Sequence, residues 1–579
     1  WLKQTFDEAD KNGDGCLSIN EVLQLMHKLN VNLPRQKVKQ MFKEADTDDN
    51  QGTLGFDEFC AFYKMMSTRR DLYLLMLTYS NHKDHLDPDD LKRFLEVEQK
   101  MINVTKEYCL DIVDKFEPCP ENKKQGALGI DGFTNYMRSP AGDIFNPDHY
   151  QVNQDMTLPL SNYFIASSHN TYLMGDQLMS QSRVDMYAWV LQAGCRCVEV
   201  DCWDGPDGEP IVHHGYTLTS KILFKDVIET INKYAFIRND YPVILSIENH
   251  CSVVQQKKMA QYLIEILGEK LNLSDVVNED STKLPSPESL RGKILVKKKG
   301  GKIKKCSSLE EGDESLDRQG SLARASVHYS RINRQKKTMK LSRALSDLVK
   351  YTKSVGIHDV ETEISCSWQV SSFSETKAHQ ILQQKPAQFV RFNQHQLSRI
   401  YPSSYRVDSS NYNPQPFWNA GCQLVALNYQ SEGRMLQLNR AKFNSNGNCG
   451  YVLKPKCMCQ GAFNPNSEDP LPGQLKKQLV LRIISGQQLP KPKDSMLGDR
   501  GEIIDPFVEV ELIGLPVDCF KEQTRVVDDN GFNPMWEETL VFTVHMPEIS
   551  LIRFLVWDHD PIGRDFIGQR TLSFSSMMP

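Results

Sequence analysis

Between residues 160 and 270, short apolar runs of strand length alternate with amphipathic helical patterns, and each run carries residues suited to chemistry. The runs are FIASSHN, ending at His169 and Asn170; CVEVD, carrying Glu199 and Asp201; IVHHG, carrying His214; and VILSIE, ending at Glu248. Between them Val184/Tyr187/Ala188/Leu191, Phe224/Val227/Ile228/Ile231 and Met259/Tyr262/Leu263/Ile266 recur at helical spacing. Strand and helix in alternation predict a parallel sheet or a barrel. Polar chemistry at successive strand ends is how a (β/α)₈ barrel builds its site. The strand period of two puts Glu199 and Asp201 on one face. Two histidines, three carboxylates and an amide then converge on one mouth, where the carboxylates and the amide suit a hard cation.

The rest of the chain is of other classes. At 579 residues it is too long for one core. Residues 1–145 read as helical EF-hand pairs. Asp10, Asn12, Asp14, the Cys16 carbonyl, Ser18 and Glu21 fall at the ligand positions of a twelve-residue calcium loop, with Gly15 at the turn. The next loop fits less well. Counting back from Glu58 puts Thr47 at the first position, whereas starting at Asp46, Asp48 and Asn50 makes the loop one residue too long. That hand is expected to bind weakly or not at all, and the helix pairs around 70–100 and 105–140 lack ligand series.

Residues 150–299 form one half of an α/β barrel. Residues 300–338 then run through a lysine cluster, the acidic stretch Glu310–Glu314 and a Ser/Arg-rich tract, a composition expected of a disordered linker that partly occludes the mouth. Alternation resumes over 339–457, with PAQFVRF, LSRIY, CQLVALN and GYVL as strands. Residues 475–579 read as an all-β sandwich, expected to lack its last strand, with Asp505, Asp529, Asp558, Asp560 and Asp565 in its turns.

Bulk properties exclude some classes. A formal charge of −6 gives no bias toward nucleic acid. No apolar run approaches the ~18 residues of a bilayer span. Fifteen cysteines, scattered without a framework, fit thiols in a reducing cytosol. The start at Trp1, without a signal pattern, fits an excised fragment of a cytoplasmic protein.

SSHNTY (167–172), CRCVEVDCWDG (195–205), HHGYT (213–217) and LSIENHC (245–251) resemble the X half of eukaryotic phosphoinositide-specific phospholipase C. SRIYP (398–402), DSSNYNP (408–414), FWNAGCQLVALN (417–428) and GYVLKP (450–455) resemble its Y half. The order of EF-hands, X, linker, Y and C2 is similar to the delta-like arrangement, and DKNGDGCLSINEVLQLMHKLNVNLPRQ is most similar to the eta isozymes. The resemblance implies a TIM-like barrel split in two, and calcium-dependent hydrolysis of phosphatidylinositol 4,5-bisphosphate to diacylglycerol and inositol trisphosphate through a cyclic phosphate.

It also implies roles for individual residues. His169 stabilises phosphoryl charge and His214 is the general acid. Asn170, Glu199, Asp201 and Glu248 ligate calcium, and Glu199 or Glu248 takes the 2-hydroxyl proton. Lys297, Lys299, Ser372 and Arg399 bind the ring phosphates, and Tyr401 stacks on the ring. Leu178, Tyr216, Leu218 and Tyr405 form an apolar rim touching membrane, where His379 departs from the family pattern. The implied partners are anionic phospholipids and the phosphoinositide, bound by a monomer placed peripherally on the membrane. Two rival readings stand beside this one: a calcium-regulated membrane scaffold without turnover, and a phosphodiesterase for another lipid.

Overall fold

The structure is a computed structural model describing residues 1–49, 52–274, 283–299, 314–316, 339–356, 359–361, 367–493 and 502–578, without the side chains of 299, 314–316 and 339–340. Its centre is a closed barrel of eight parallel strands: β1 (Ser167–Ser168), β2 (Cys197–Trp203), β3 (Val243–Asn249), β4 (Ile294–Lys299), β5 (Lys353–Val355), β6 (Gln369–Ser374), β7 (Leu397–Tyr401) and β8 (Leu424–Leu427). Four strands precede the 300–338 segment and four follow it. Two seams join the halves, Lys298 pairing with Lys353 and Ser167 with Ala426. Most of the predicted linker lies outside the described residues. The backbone of its Glu314–Leu316 pairs antiparallel with Met339–Leu341 at the start of the next half.

The strand period sorts the barrel into layers. Val198, Val200 and Cys202 point outward into the core shared with the surrounding helices. Cys197, Ile244, Leu295, Val370, Leu397 and Leu424 form an apolar plug inside. Two residues further along β2, β3, β4, β6 and β7 the lining turns polar. The register aligns Glu199 with Ser246, Ser246 with Lys297, and Ser372 with Arg399. Two residues on again, Asp201 aligns with Glu248 and Ser374 with Tyr401. The plug excludes water from the barrel floor, and the polar rows open toward the C-terminal mouth.

Three expected elements differ. PAQFVRF is helical, Pro386–Asn393, with Pro386 in the first turn and Phe389, Val390, Phe392 and Asn393 buried. Its aromatic and β-branched residues mimic strand composition, but burial at i, i+3 and i+4 overrides that propensity. Ile211–Val212 of IVHHG is not a barrel stave; it pairs antiparallel with β2. The connection Asp204–Pro210 is too short for the dozen or more residues of a parallel crossover. Tyr451–Leu453 of GYVL pairs antiparallel with Tyr163–Ile165, outside the barrel.

The amino-terminal region holds paired hands bridged by Leu17–Ser18 with Thr53–Leu54 and by His85–Leu86 with Leu128–Gly129. In the β-sandwich, Lys477–Ser485 pairs with Met535–Val544, and Pro506–Ile513 lies between Phe520–Gln523 and Leu551–Asp560, with Gly563–Ser573 outermost. Buried Asn30 joins hand to sandwich: its amide donates to the Leu489 carbonyl at 3.0 Å and its Oδ1 accepts from Lys491 at 2.9 Å. Among the described residues no helix is long and apolar enough to cross a membrane, and the cysteines are free thiols.

Candidate active site

The end of β1 turns sharply at Asn170, whose φ of 39° lies in the left-handed region that asparagine tolerates. That turn aims the Asn170 N–H at Glu199 Oε2 (3.0 Å), while its amide donates to Gln177 Oε1 (2.8 Å). Glu199 also accepts from Arg399 Nη2 at 2.8 Å, and both side chains are buried. Burial alone raises the Glu199 pKa; Arg399, His169 and the Asn170 N–H outweigh it and hold the carboxyl at about 2. Asp201 accepts from the Tyr172 hydroxyl through Oδ2, while its Oδ1 is buried without a partner. Burial, then Glu248 and Glu199, push Asp201 well above its ordinary range.

Oxygen atoms of Glu199, Asp201 and Glu248 all lie within 4.8 Å of one another. Ligand oxygens at 2.3–2.6 Å from one calcium are at most about 5 Å apart, so the spacing fits that ion. An orphaned buried oxygen on Asp201 and a carboxylate pushed upward by its neighbours are what a cation would relieve. Glu199, Asp201 and Glu248 are thus brought together, and Asn170 adjoins them through its main-chain N–H bond to Glu199.

The histidines flank this cluster, near enough for His214 to act electrostatically on His169. His169 Nδ1 lies 2.9 Å from Asn428 Oδ1, and Asn428 Nδ2 donates to the Ser410 carbonyl. The second bond fixes the amide, so His169 Nδ1 carries the proton and Nε2 is left for a ligand. Burial lowers the His169 pKa, with Glu199 pulling the other way. His214 Nδ1 donates to the Gln177 carbonyl at 2.6 Å, again leaving Nε2.

Lys297 and Arg399 are buried in the polar row, and Lys297 donates to Ser246 at 3.3 Å. Burial, then the charge of Arg399, brings the Lys297 pKa down to about 8. The Ser372 hydroxyl beside Arg399 is buried without a partner. Tyr401 is half-buried one step nearer the mouth, and the Lys299 side chain lies outside the described residues. Sequence reading missed that Arg399 first serves Glu199, and missed Tyr172, Gln177 and Asn428. Tyr172 and Asn428 sit inside the quoted motifs, so their position was a usable signal.

Leu178, Tyr216, Leu218 and Tyr405 are all exposed. The Leu218 N–H donates to the Leu178 carbonyl, and the Gln177 N–H to that of Val407. Those bonds knit three segments into one rim, to which exposed Met174, Met179 and Val407 also belong. His379 is exposed and bonded to Gln383 at 3.0 Å.

In the first hand, the Gly15 N–H donates to Asp10 Oδ2 and the Lys11 N–H to Glu21 Oε2. The second hand repeats this from Gly52 to Asp46 and from Thr47 to Glu58. Asp46 therefore stands where Asp10 stands, and the second loop is the longer of the two alignments. Asp46, Asp48 and Glu58 bring oxygens within 4.8 Å of one another. In the first loop the Asn12 amide donates to Asp14 Oδ2, the Cys16 N–H to Asp14 Oδ1 and the Ser18 N–H to Glu21 Oε1. At the sandwich pole the Asp505 N–H donates to Asp558, the Asp529 N–H donates to Asp505, and Asp558 pairs across strands with Asp565. Asp560 follows two residues after Asp558 on the same strand. Burial and then neighbouring carboxylates raise the pKa of both Asp505 and Asp558.

Family models match nearly the whole chain: "Phosphatidylinositol-specific phospholipase C, X domain" over 156–300 and its "Y domain" over 345–457, "C2 domain" over 477–579, "Phosphoinositide-specific phospholipase C, efhand-like" over 62–147 and "EF-hand domain pair" over 1–64. The chain belongs to the phosphoinositide-specific phospholipase C family. It is 70% identical to mouse 1-phosphatidylinositol 4,5-bisphosphate phosphodiesterase eta-2, with all of this chain and 46% of that protein covered. It is 45% identical to the delta-4 phosphodiesterase of Xenopus laevis, covering 100% of this chain and 77% of that one. It is also 42% identical to mouse inactive phospholipase C-like protein 2, covering 100% of this chain and 52% of that protein. The crystal structure of S. officinalis PLC21 superposes with a TM-score of 0.75 at 30% identity, covering 100% of this chain and 74% of that one. The chain thus spans about half the length of the eta-2 relative.

Proposed function

We propose that the protein hydrolyses phosphatidylinositol 4,5-bisphosphate in a calcium-dependent reaction at a membrane surface, releasing diacylglycerol and inositol trisphosphate. One observation carries this reading: three carboxylates within 4.8 Å of one another share a barrel mouth with two histidines whose Nδ1 atoms are already bonded.

Asn170, Glu199, Asp201 and Glu248 would hold calcium, which when bound would supply a Lewis acid for the inositol 2-hydroxyl. The remaining chemistry belongs to side chains. Glu199 or Glu248 takes the proton of the 2-hydroxyl. His169 supports charge on the phosphoryl oxygen, and His214 Nε2 gives a proton to the leaving diacylglycerol oxygen. The attack closes a cyclic phosphate, which water opens with acid and base roles exchanged. Lys297, Lys299, Ser372 and Arg399 receive the ring phosphates, and Tyr401 packs on the ring. The rim of Leu178, Tyr216, Leu218 and Tyr405 enters the lipid surface.

The test is calcium-titrated turnover on vesicles carrying either phosphatidylinositol or its 4,5-bisphosphate. Absence of turnover would leave the scaffold reading, to which the 42% identity with a protein named inactive lends weight. Retention of both His169 and His214 weighs against it. Equal rates on both lipids would instead favour the other phosphodiesterase. In the same assay Asp201→Asn is expected to raise the calcium needed for half-maximal turnover by about tenfold or more, since one charged ligand is lost.

The sandwich pole supports calcium-dependent attachment to anionic lipid, with Asp505, Asp529, Asp558, Asp560 and Asp565 offering oxygens. Asp558→Asn with Asp560→Asn is expected to weaken calcium-dependent vesicle binding, read by sedimentation, while hydrolysis of a soluble substrate changes little. Unaltered calcium dependence of binding in that double variant would reduce this domain to a brace. In the first hand, Asp10, Asn12, Asp14, the Cys16 carbonyl, Ser18 and Glu21 supply a further calcium loop.

A further inference from the structure

Glu248 is held differently from its two partners. Glu199 is fixed by Arg399 and the Asn170 N–H, and Asp201 by Tyr172. Glu248 has a side chain 55% exposed, and the side-chain bond on it is from His250 Nε2 at 3.1 Å. An exposed carboxylate with free χ angles is a poor member of a preformed cation site unless something outside the ligand set orients it.

His250 is itself rigidly placed. Its N–H donates to the Cys202 carbonyl at 2.8 Å, tying the end of β3 to β2. Its ring lies flat on the Trp203 indole, with centroids 4.0 Å apart and planes 10° from parallel. Trp203 is enclosed in turn. Tyr216 meets it edge-on at 5.3 Å and His213 lies against it at 5.6 Å. A Cβ on Gly215 would sit 1.9 Å from the indole, so only glycine beside His214 admits the ring. The indole N–H is buried without a hydrogen-bond partner. Packing, not a polar contact, therefore holds Trp203, and the flat face it presents is what holds His250.

We propose that His250, stacked on Trp203, is the positioning residue that fixes Glu248 within the cation-binding triad. The idea rests on the calcium reading given above. Trp203 follows Asp201 by two residues on β2, and His250 follows Glu248 by two residues, just past the end of β3. The stack therefore ties together the two strands whose ends carry these ligands. It acts through Glu248 and touches no reacting atom.

The test uses the whole chain. Calorimetric calcium titrations of the wild type and of Glu199→Gln identify the binding component that belongs to the barrel. His250→Ala is expected to weaken that component by about tenfold or more, the usual effect of losing a residue that orients a ligand. It should also raise the half-maximal calcium for turnover of phosphatidylinositol 4,5-bisphosphate vesicles by a similar factor. His250→Gln, which can return an N–H to Glu248, should recover part of the loss. Trp203→Phe, which keeps a flat face, should bind calcium more tightly than Trp203→Leu. These paired variants keep the result readable if His250→Ala fails to fold. A barrel component of unchanged affinity in His250→Ala, or equal affinities in the two Trp203 variants, would overturn the proposal. Absence of turnover in the wild type would instead defeat the functional reading, while the calorimetric comparison still decides the positioning role.

Discussion

His214→Ala is expected to lower turnover of phosphatidylinositol 4,5-bisphosphate by about 10²–10⁴-fold while vesicle attachment persists. The imidazole is oriented before substrate arrives. Nδ1 is committed to the Gln177 carbonyl, and the His214 main chain is tied to Thr217 and Thr219. That leaves Nε2 facing the substrate, and in the imidazolium form it is the nitrogen that gives up a proton. His214→Gln keeps a polar side chain of similar reach but cannot donate at neutral pH as an acid, so it should rescue little. Rates near wild type in either variant would remove His214 from the chemistry. Substrates with a more acidic leaving group should lose less, because a better leaving group needs less protonation.

The second large effect concerns Arg399. Its guanidinium lies 2.8 Å from Glu199, with the two side chains 4% and 8% exposed. Removing one partner of such a pair leaves an uncompensated buried charge, typically at a cost of about 3–5 kcal/mol. Arg399→Ala should therefore destabilise the barrel by roughly that amount in calcium-free denaturation. Arg399→Ala with Glu199→Gln should be less destabilised than the single variant, since no carboxylate is then stranded. A double variant as unstable as the sum of the two singles would show that the pair is not coupled.

The sign of the pH effect follows from the same pair. Glu199 is lowered from 4.5 to about 2 in the folded chain. Its contribution to stability is full above the unfolded value and is lost as pH falls through the folded one. Arg399→Ala should shrink that acid-side loss in the calcium-free protein.

The site residues legible in the sequence were those carried by strand ends. A parallel barrel delivers such ends to one mouth, so His169, Asn170, Glu199, Asp201 and Glu248 could be grouped without coordinates. The structure supplied what depends on register between distant strands. Arg399 and Glu199 are 200 residues apart in sequence, and no local pattern shows that the arginine reaches the carboxylate. PAQFVRF misled because residue types that favour strands also pack well on a buried helix face. IVHHG showed the right composition for a strand but not its direction, which the short turn before it decides. The second hand was ambiguous because its loop exceeds the usual length by one residue. Only the bonds from Gly52 and Thr47 reveal which aspartate comes first.

The two seams of the barrel bear on how such a chain can change over time. Each half brings four adjacent staves, and pairing between Lys298 and Lys353 and between Ser167 and Ala426 closes the ring. The staves pair directly across both seams, so strand contacts and not the covalent path through residues 300–338 hold the ring closed. Loop-closure entropy grows only with the logarithm of loop length, so doubling the number of residues between two joined strands costs about 0.6 kcal/mol. Selection on the barrel therefore exerts little pressure on the length or wording of that tract. Descendants can lengthen, shorten or rewrite it, acquiring new signals there, while the chemistry in the mouth is inherited unchanged.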